Sequence, residues 1–178
     1  MLTRREIEAR ILAPIIEAFA AECGRERVLQ IAAQAIVRIA REQGRALADR
    51  MGGNSLAHFV RSQKDWTKNG ALAMDVLRVT DVAYDFNVTR CRYAEMYRAL
   101  GIAELGTVLS CGRDAALGEG FSPDLKLART QTIMDGAAHC DFRYRMAPSA
   151  CAEDPSLPRA GGSVQEGANA CDDGTSSG

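Results

Sequence analysis

Residues 71–91 read ALAMDVLRVTDVAYDFNVTRC, and this stretch decides the fold class. Leu72, Met74 and Val76 alternate with Ala71, Ala73 and Asp75. After a turn or bulge near Arg78–Asp81, Val82, Tyr84, Phe86 and Val88 alternate with Ala83, Asp85, Asn87 and Thr89. Successive side chains of a strand point to opposite faces, so period two over this length predicts half-buried strands paired antiparallel.

Upstream the period is helical. Ile7, Ile11, Ile15 and Phe19 recur at four-residue steps, flanked by Leu12 and Ile16. That predicts an amphipathic helix over residues 3–22 with this stripe buried, capped by Thr3 with Glu6 at the capping-box position. A second helix, from about Arg25 to Arg50, carries Val28, Ala32, Ala35, Ile36 and Ile39 on one face and stops at MGGN. Asn54 or Ser55 caps a third, running to Trp66. Downstream, Tyr93, Met96, Tyr97 and Leu100 mark a helix over 92–100, and another spans 103–117 before the loop GEGFSP.

A strand then runs from Leu125 to about Met134 and turns at Asp135-Gly136 into a second arm. That arm has Cys140, Phe142 and Tyr144 on one face and His139, Asp141, Arg143 and Arg145 on the other. Cys140 and Asp141 cannot point into one pocket without a bulge. The expected fold is α+β: N-terminal helices on a small antiparallel sheet of about four strands, closing in a C-terminal hairpin. Residues 1–146 form one domain. Residues 147–178 are rich in Gly, Ser, Ala and acids, and are expected to be a disordered tail.

The chain has 178 residues, a net charge of −1 and six cysteines. No apolar run approaches the roughly 20 residues that span a bilayer, and the N-terminus lacks a secretory pattern, so a cytoplasmic protein without a membrane role is expected. Its cysteines are then thiols rather than disulfides, and no CxxC is present. The near-neutral balance argues against nucleic acid as the main partner. Because Glu153, Asp154, Glu166, Asp172 and Asp173 face only Arg159 in the tail, the body is mildly basic and suits a small anion. The first two helices offer a face for a homo-oligomer.

Several side chains are candidates for chemistry. Cys91 lies at a strand-to-helix junction between Arg90 and Arg92, where a thiol pKa falls. Its bland reading is a small buried hydrophobe. Glu95, one turn on, is a general base or simply a solvated carboxylate. Cys111 and Asp114 can share a helical face while Arg113 points elsewhere. Cys140 reads by pattern as core, and His58 and His139 as structural or solvated. Arg129, Arg143 and Arg145 on neighbouring strands could clamp a carboxylate, or form a basic surface. Three thiols on separate elements could also hold zinc, although their spacing is no motif.

The pieces NVTRCRYAEMYRALG (87–101), Cys111-x-x-Asp114, EGF (119–121), RTQTIMDGA (129–137) and CDFRY (140–144) together resemble the L-2-amino-thiazoline-4-carboxylic acid hydrolase family over about residues 5–146. The resemblance implies opening of a cyclic isothiourea by water to a carbamoyl-cysteine, without a required cofactor. On those motif positions it implies a thiol at Cys111 or Cys91 and proton transfer by Asp114, Glu95 or Asp141, with Cys140 beside them. It further implies a substrate carboxylate held among Arg129, Arg113, Arg143 and Asn87. A more distant similarity is to vinyl-reductase-type and phenol-sensor ligand domains, non-catalytic binding modules some of which hold zinc on the final hairpin. Here Arg129 and Thr132 stand near the positions of their Glu and Cys ligands.

Overall fold

The computed structural model describes residues 2–147. The predicted tail lies outside them, apart from Ala147. Helices α1 (Leu2–Cys23), α2 (Arg25–Met51) and α3 (Leu56–Ser62) lead through two short 3-10 turns into strands β1 (Leu72–Val79) and β2 (Ala83–Cys91). Helices α4 (Arg92–Ala99) and α5 (Ala103–Gly106) follow. A π-turn over Thr107–Cys111, helix α6 (Arg113–Phe121) and strands β3 (Leu125–Ala128) and β4 (Cys140–Met146) complete the fold. The sheet is antiparallel throughout, in the order β1-β2-β4-β3.

The period-two stretch does form paired strands, with irregularities at Ala73/Met74 and Val76/Arg78. Tyr84, Phe86 and Val88 of β2 face Tyr144, Phe142 and Cys140 of β4 in register. Phe86 and Phe142 stack at 4.8 Å. Helices cover this face: Leu47 of α2, Leu56 and Phe59 of α3, and Phe121 of α6 join the same core. Phe59 sits edge-on at 4.8 Å from Tyr144 and 5.1 Å from Phe121. Aromatic rings prefer these offset and edge geometries because the ring face is negative and its rim positive. A second core joins α1, α4 and the 105–109 region through Ala9, Ala13, Ile16, Tyr97 and Leu109.

Four local expectations change. Helix α1 buries Ala9, Ala13 and Ile16, and turns Ile7, Ile11, Ile15 and Phe19 outward. The small-residue face lets the helix backbone approach its neighbours, so the larger stripe is not the packed one; Thr3 lies inside the helix rather than capping it. GEGF is helical, the last turn of α6. Its Gly120 lies where a Cβ would come within 2.1 Å of the Arg41 carbonyl oxygen, and Gly44 of α2 makes the reciprocal approach, 2.2 Å from the Leu117 oxygen. These glycines are close-packing residues rather than punctuation.

Strand β3 ends at Ala128 rather than Met134, because the Asp141 carboxylate takes the Thr130 and Gln131 amides at 3.0 and 2.9 Å. A side chain thereby replaces the ladder partner. The Asp135-Gly136 turn is present, with Gly136 at φ 101°, but inside a loop over residues 129–139. The fourth change concerns Cys91, below.

Candidate functional site

A cavity of about 100 Å³ lies at the seam between the two cores. Cys91 and Ile133 pack against both of them. The walls come from every layer: Arg5 of α1, Trp66, Leu72 of β1, Val88 and Cys91 of β2, and Tyr93 of α4. Ser110 and Cys111 of the π-turn, Arg113, Asp114 and Leu117 of α6, Arg129, and Cys140 and Phe142 of β4 complete the lining. The lining is mostly apolar and the volume is below the few hundred Å³ typical of drug-sized ligands, so it admits a compact ring with few substituents.

Asp114 and Arg129 are the charged centre. Arg129 Nη1 donates to Asp114 Oδ2 at 2.6 Å and Nη2 to the Cys111 carbonyl oxygen at 3.0 Å. Its guanidinium also lies 5.0 Å from the Phe142 ring centroid, a cation–π contact. Burial works against the Arg129 charge, but the Asp114 carboxylate overrides it and holds its pKa up. Burial pushes the Asp114 carboxyl upward, with Arg129 pulling against it. Asp114 Oδ1 takes no hydrogen bond among the described residues, which leaves an open acceptor on a side chain that lines the cavity.

Arg113 is different. Its side chain is 5 % exposed, and its partner among the described residues is the neutral Gln43 Oε1, to which Nη2 donates. Among the described residues no carboxylate is paired with it. Burial, followed by repulsion from Arg5, lowers its pKa to about 10. Arg5 is itself paired with Glu8. The lining thus carries three arginines and one carboxylate; with Arg129 on Asp114 and Arg5 on Glu8 outside the lining, Arg113 is the guanidinium left without a carboxylate partner among the described residues.

The three thiols line the same cavity and are protonated at neutral pH. Burial, then the Asp114 charge, pushes Cys111 up to about 12. Burial raises Cys91 and Cys140 as well, against the Cys91 bond from the Ala94 amide at 3.4 Å and the Cys140 bond from the Ile133 amide at 3.1 Å. The expected lowering of Cys91 fails because Arg90 is turned to Glu95 and Arg92 donates to the Asn69 carbonyl. Desolvation of the thiolate then dominates. Among the described residues, no three of His, Cys, Asp or Glu are grouped closely enough to hold a metal ion.

Of the sequence candidates, Cys91, Cys111, Cys140, Asp114, Arg113 and Arg129 converge on the cavity. Glu95, Asp141, Arg143 and Asn87 do not line it. Glu95 is exposed and ion-paired with Arg90 at 2.8 Å. Asp141 serves the Thr130–Gln131 backbone. Arg143 donates to Asn87 Oδ1 and to the Phe86 carbonyl, both at 2.9 Å, on the other face of the sheet. That face belongs to alternate residues of β2 and β4, as the strand period requires. Arg113 shares the cavity with Asp114, both lying in the first turn of α6. His58 and His139 lie elsewhere, bonded to Ser55 and Gln131. Sequence reading missed Arg5, Trp66, Tyr93 and Ser110. A polar residue on the small-residue face of α1 was the available signal for Arg5.

This is an α+β domain in which a helical layer and a four-stranded antiparallel sheet enclose one small charged cavity. The chain belongs to the L-2-amino-thiazoline-4-carboxylic acid hydrolase family, whose model matches residues 4–144. No curated protein matches it. Its fold is similar to that of the phenol-responsive sensory domain of the transcription activator PoxR with phenol, at a TM-score of 0.51 and 11 % identity, covering 76 % of this chain and 73 % of that one. It is similar too to a trafficking protein particle complex subunit 3 from Naegleria fowleri covalently bound to palmitic acid, at a TM-score of 0.51 and 10 % identity, covering 83 % and 98 %. No helix among the described residues is long and apolar enough to cross a membrane.

Proposed function

We propose that this cavity hydrolyses a C–N bond in a small cyclic amidine bearing a carboxylate, of the 2-amino-thiazoline-4-carboxylate type. One observation carries the reading: an uncompensated buried guanidinium, Arg113, shares a small cavity with a carboxylate that keeps one oxygen free, Asp114. A buried cation without a counter-charge is costly, and an anionic ligand removes that cost. Arg113 then takes the substrate carboxylate. Arg129 is committed to Asp114 and the Cys111 carbonyl, and instead fixes the base.

With the thiols protonated, water is the nucleophile. Asp114 Oδ1 accepts a proton from water as its oxygen bonds to the amidine carbon. Asp114 returns that proton to the ring nitrogen; as the ring C–N bond breaks, the hydroxyl of the tetrahedral species becomes the carbonyl and its proton passes through Asp114 to the departing nitrogen, which leaves as an amine. A carbamoyl group remains on sulfur. Burial serves this role, since a carboxylate pushed upward is a stronger base than a solvated one. The apolar wall of Trp66, Leu72, Val88 and Phe142 covers the ring.

The test is turnover of L-2-amino-thiazoline-4-carboxylate followed by mass-resolved chromatography, with Asp114→Asn alongside. Product from the wild type and none from the variant supports the reading. A folded, reduced wild type that binds the compound and returns it unchanged favours the second reading, a non-catalytic ligand-binding domain. The largely apolar lining and the similarity to a phenol-responsive sensory domain support that alternative.

A further inference from the structure

We propose that α1 joins two copies of this protein in an antiparallel, two-fold dimer seated on Ile7, Ile11, Ile15 and Phe19. These side chains are 54, 55, 46 and 59 % exposed, although Ala9, Ala13 and Ile16 already anchor the helix to the fold. Four large apolar residues on one ridge, beyond what folding needs, form a patch of the kind that marks an interaction surface. The ridge is an i±4 row, one of the two kinds of row that interdigitate in the shallow-angle packing of long helix pairs.

The sequence of the ridge selects a second copy, and selects its direction. A two-fold axis level with Ala13 sets Ile11 against the partner's Ile15, and Ile7 against the partner's Phe19. The helix is basic where it starts and acidic where it ends: Arg4 lies just before the ridge and Glu22 just after it, both exposed. By the 100° step of an α-helix, Arg4 and Glu22 both fall on the ridge's mean direction. An antiparallel pair therefore brings Arg4 to the side of the partner's Glu22 twice. A parallel pair would set like charges together, which is unfavourable. Arg4 has a local partner in Glu8, at 2.7 Å, but its side chain remains 69 % exposed. About 100° round the same helix from the ridge, Arg5 lines the cavity, so the dimer face and the cavity share one helix.

Sedimentation velocity of the full chain across a wide concentration series tests the proposal. The wild type is expected to show a reversible monomer–dimer equilibrium. Ile11→Glu/Ile15→Glu should weaken it at least about a hundredfold, because two carboxylates per copy meet at the centre. Arg4→Glu alone should weaken it at low salt, and Arg4→Glu/Glu22→Arg should restore it. Circular dichroism confirms that each variant is folded. A wild type that stays monomeric throughout overturns the proposal, as does a dimer indifferent to the Ile11 and Ile15 changes. Binding of the wild type to neutral phosphatidylcholine vesicles without dimer formation also overturns it.

Discussion

Replacing Arg113 by methionine should stabilise the unliganded protein. The guanidinium is 5 % exposed, and burial with Arg5 repulsion takes its pKa to about 10. At about 1.4 kcal/mol per pH unit, that drop from the ordinary arginine value corresponds to roughly 3 kcal/mol of cost. Loss of the bond to half-buried Gln43 returns about 1 kcal/mol. Methionine is similar in volume and flexible, so the expected net gain is about 2 kcal/mol, or near 6 °C in Tm for a domain of this size. The pH sense is fixed by the lowered value. The cost is fully present at neutral pH, and stability recovers as pH rises through about 10, where the folded state sheds the proton before the unfolded state does. Urea unfolding and thermal melts at pH 7 measure this. A substrate-like carboxylate should raise the Tm of the wild type but leave Arg113→Met unmoved. A variant less stable than the wild type by more than about 1 kcal/mol would refute the idea that the cavity holds an uncompensated charge.

Gly120→Ala should cost about 2–3 kcal/mol in urea unfolding, since its Cβ would lie 2.1 Å from the Arg41 carbonyl oxygen and α2 must move away from α6. Alkylation at pH 8 with mass mapping should label exposed Cys23 well before Cys111, whose thiol is pushed up to about 12; equal rates would contradict a buried, protonated thiol. Asp85→Asn should destabilise by about 1–3 kcal/mol, because Arg78 at 2.8 Å and Arg145 would lose their common carboxylate. In the wild type that contribution is present above the ordinary aspartate pKa. It is lost as pH falls through the folded value, which burial would raise but Arg145 and Arg78 hold below it. An acid-unfolding midpoint identical in Asp85→Asn would contradict this.

The strands were legible because Tyr84, Phe86 and Val88, at alternate positions of β2, carry one core face, although Ala83 and Asp85 between them are buried too and Val76 and Val82 are exposed. The α1 face was not, because large apolar residues were assumed to be inward, while helix packing here used alanines and left the isoleucines outside. The glycines of GEGF suggest a loop, when the value of Gly120 is the absence of a Cβ against α2. At the site, Cys111 and Asp114 could be placed together from spacing alone. Arg113 could not, because helical spacing turns it about 100° from Asp114, and only the fold shows its long side chain reaching the same cavity. The Cys91 pKa was misjudged for a related reason: neighbouring arginines are written in the sequence, but their rotation toward Glu95 and Asn69 is not.

The Asp141 contacts with Thr130 and Gln131 have a consequence for how the site can change. Asp141 takes the amides of Thr130 and Gln131 and so ends β3 at Ala128, and Arg129, the residue at that break, reaches back to Asp114. Both faces of β4 therefore act on the cavity, Cys140 by lining it and Asp141 by tethering the loop from behind. The register of one strand sets both. Lengthening or shortening the remainder of the loop, over residues 132–139, would leave the sheet and this tether intact while changing how the 133–134 segment bears on the second core. The protein can thus vary the packing behind its cavity without disturbing the Arg129–Asp114 pair.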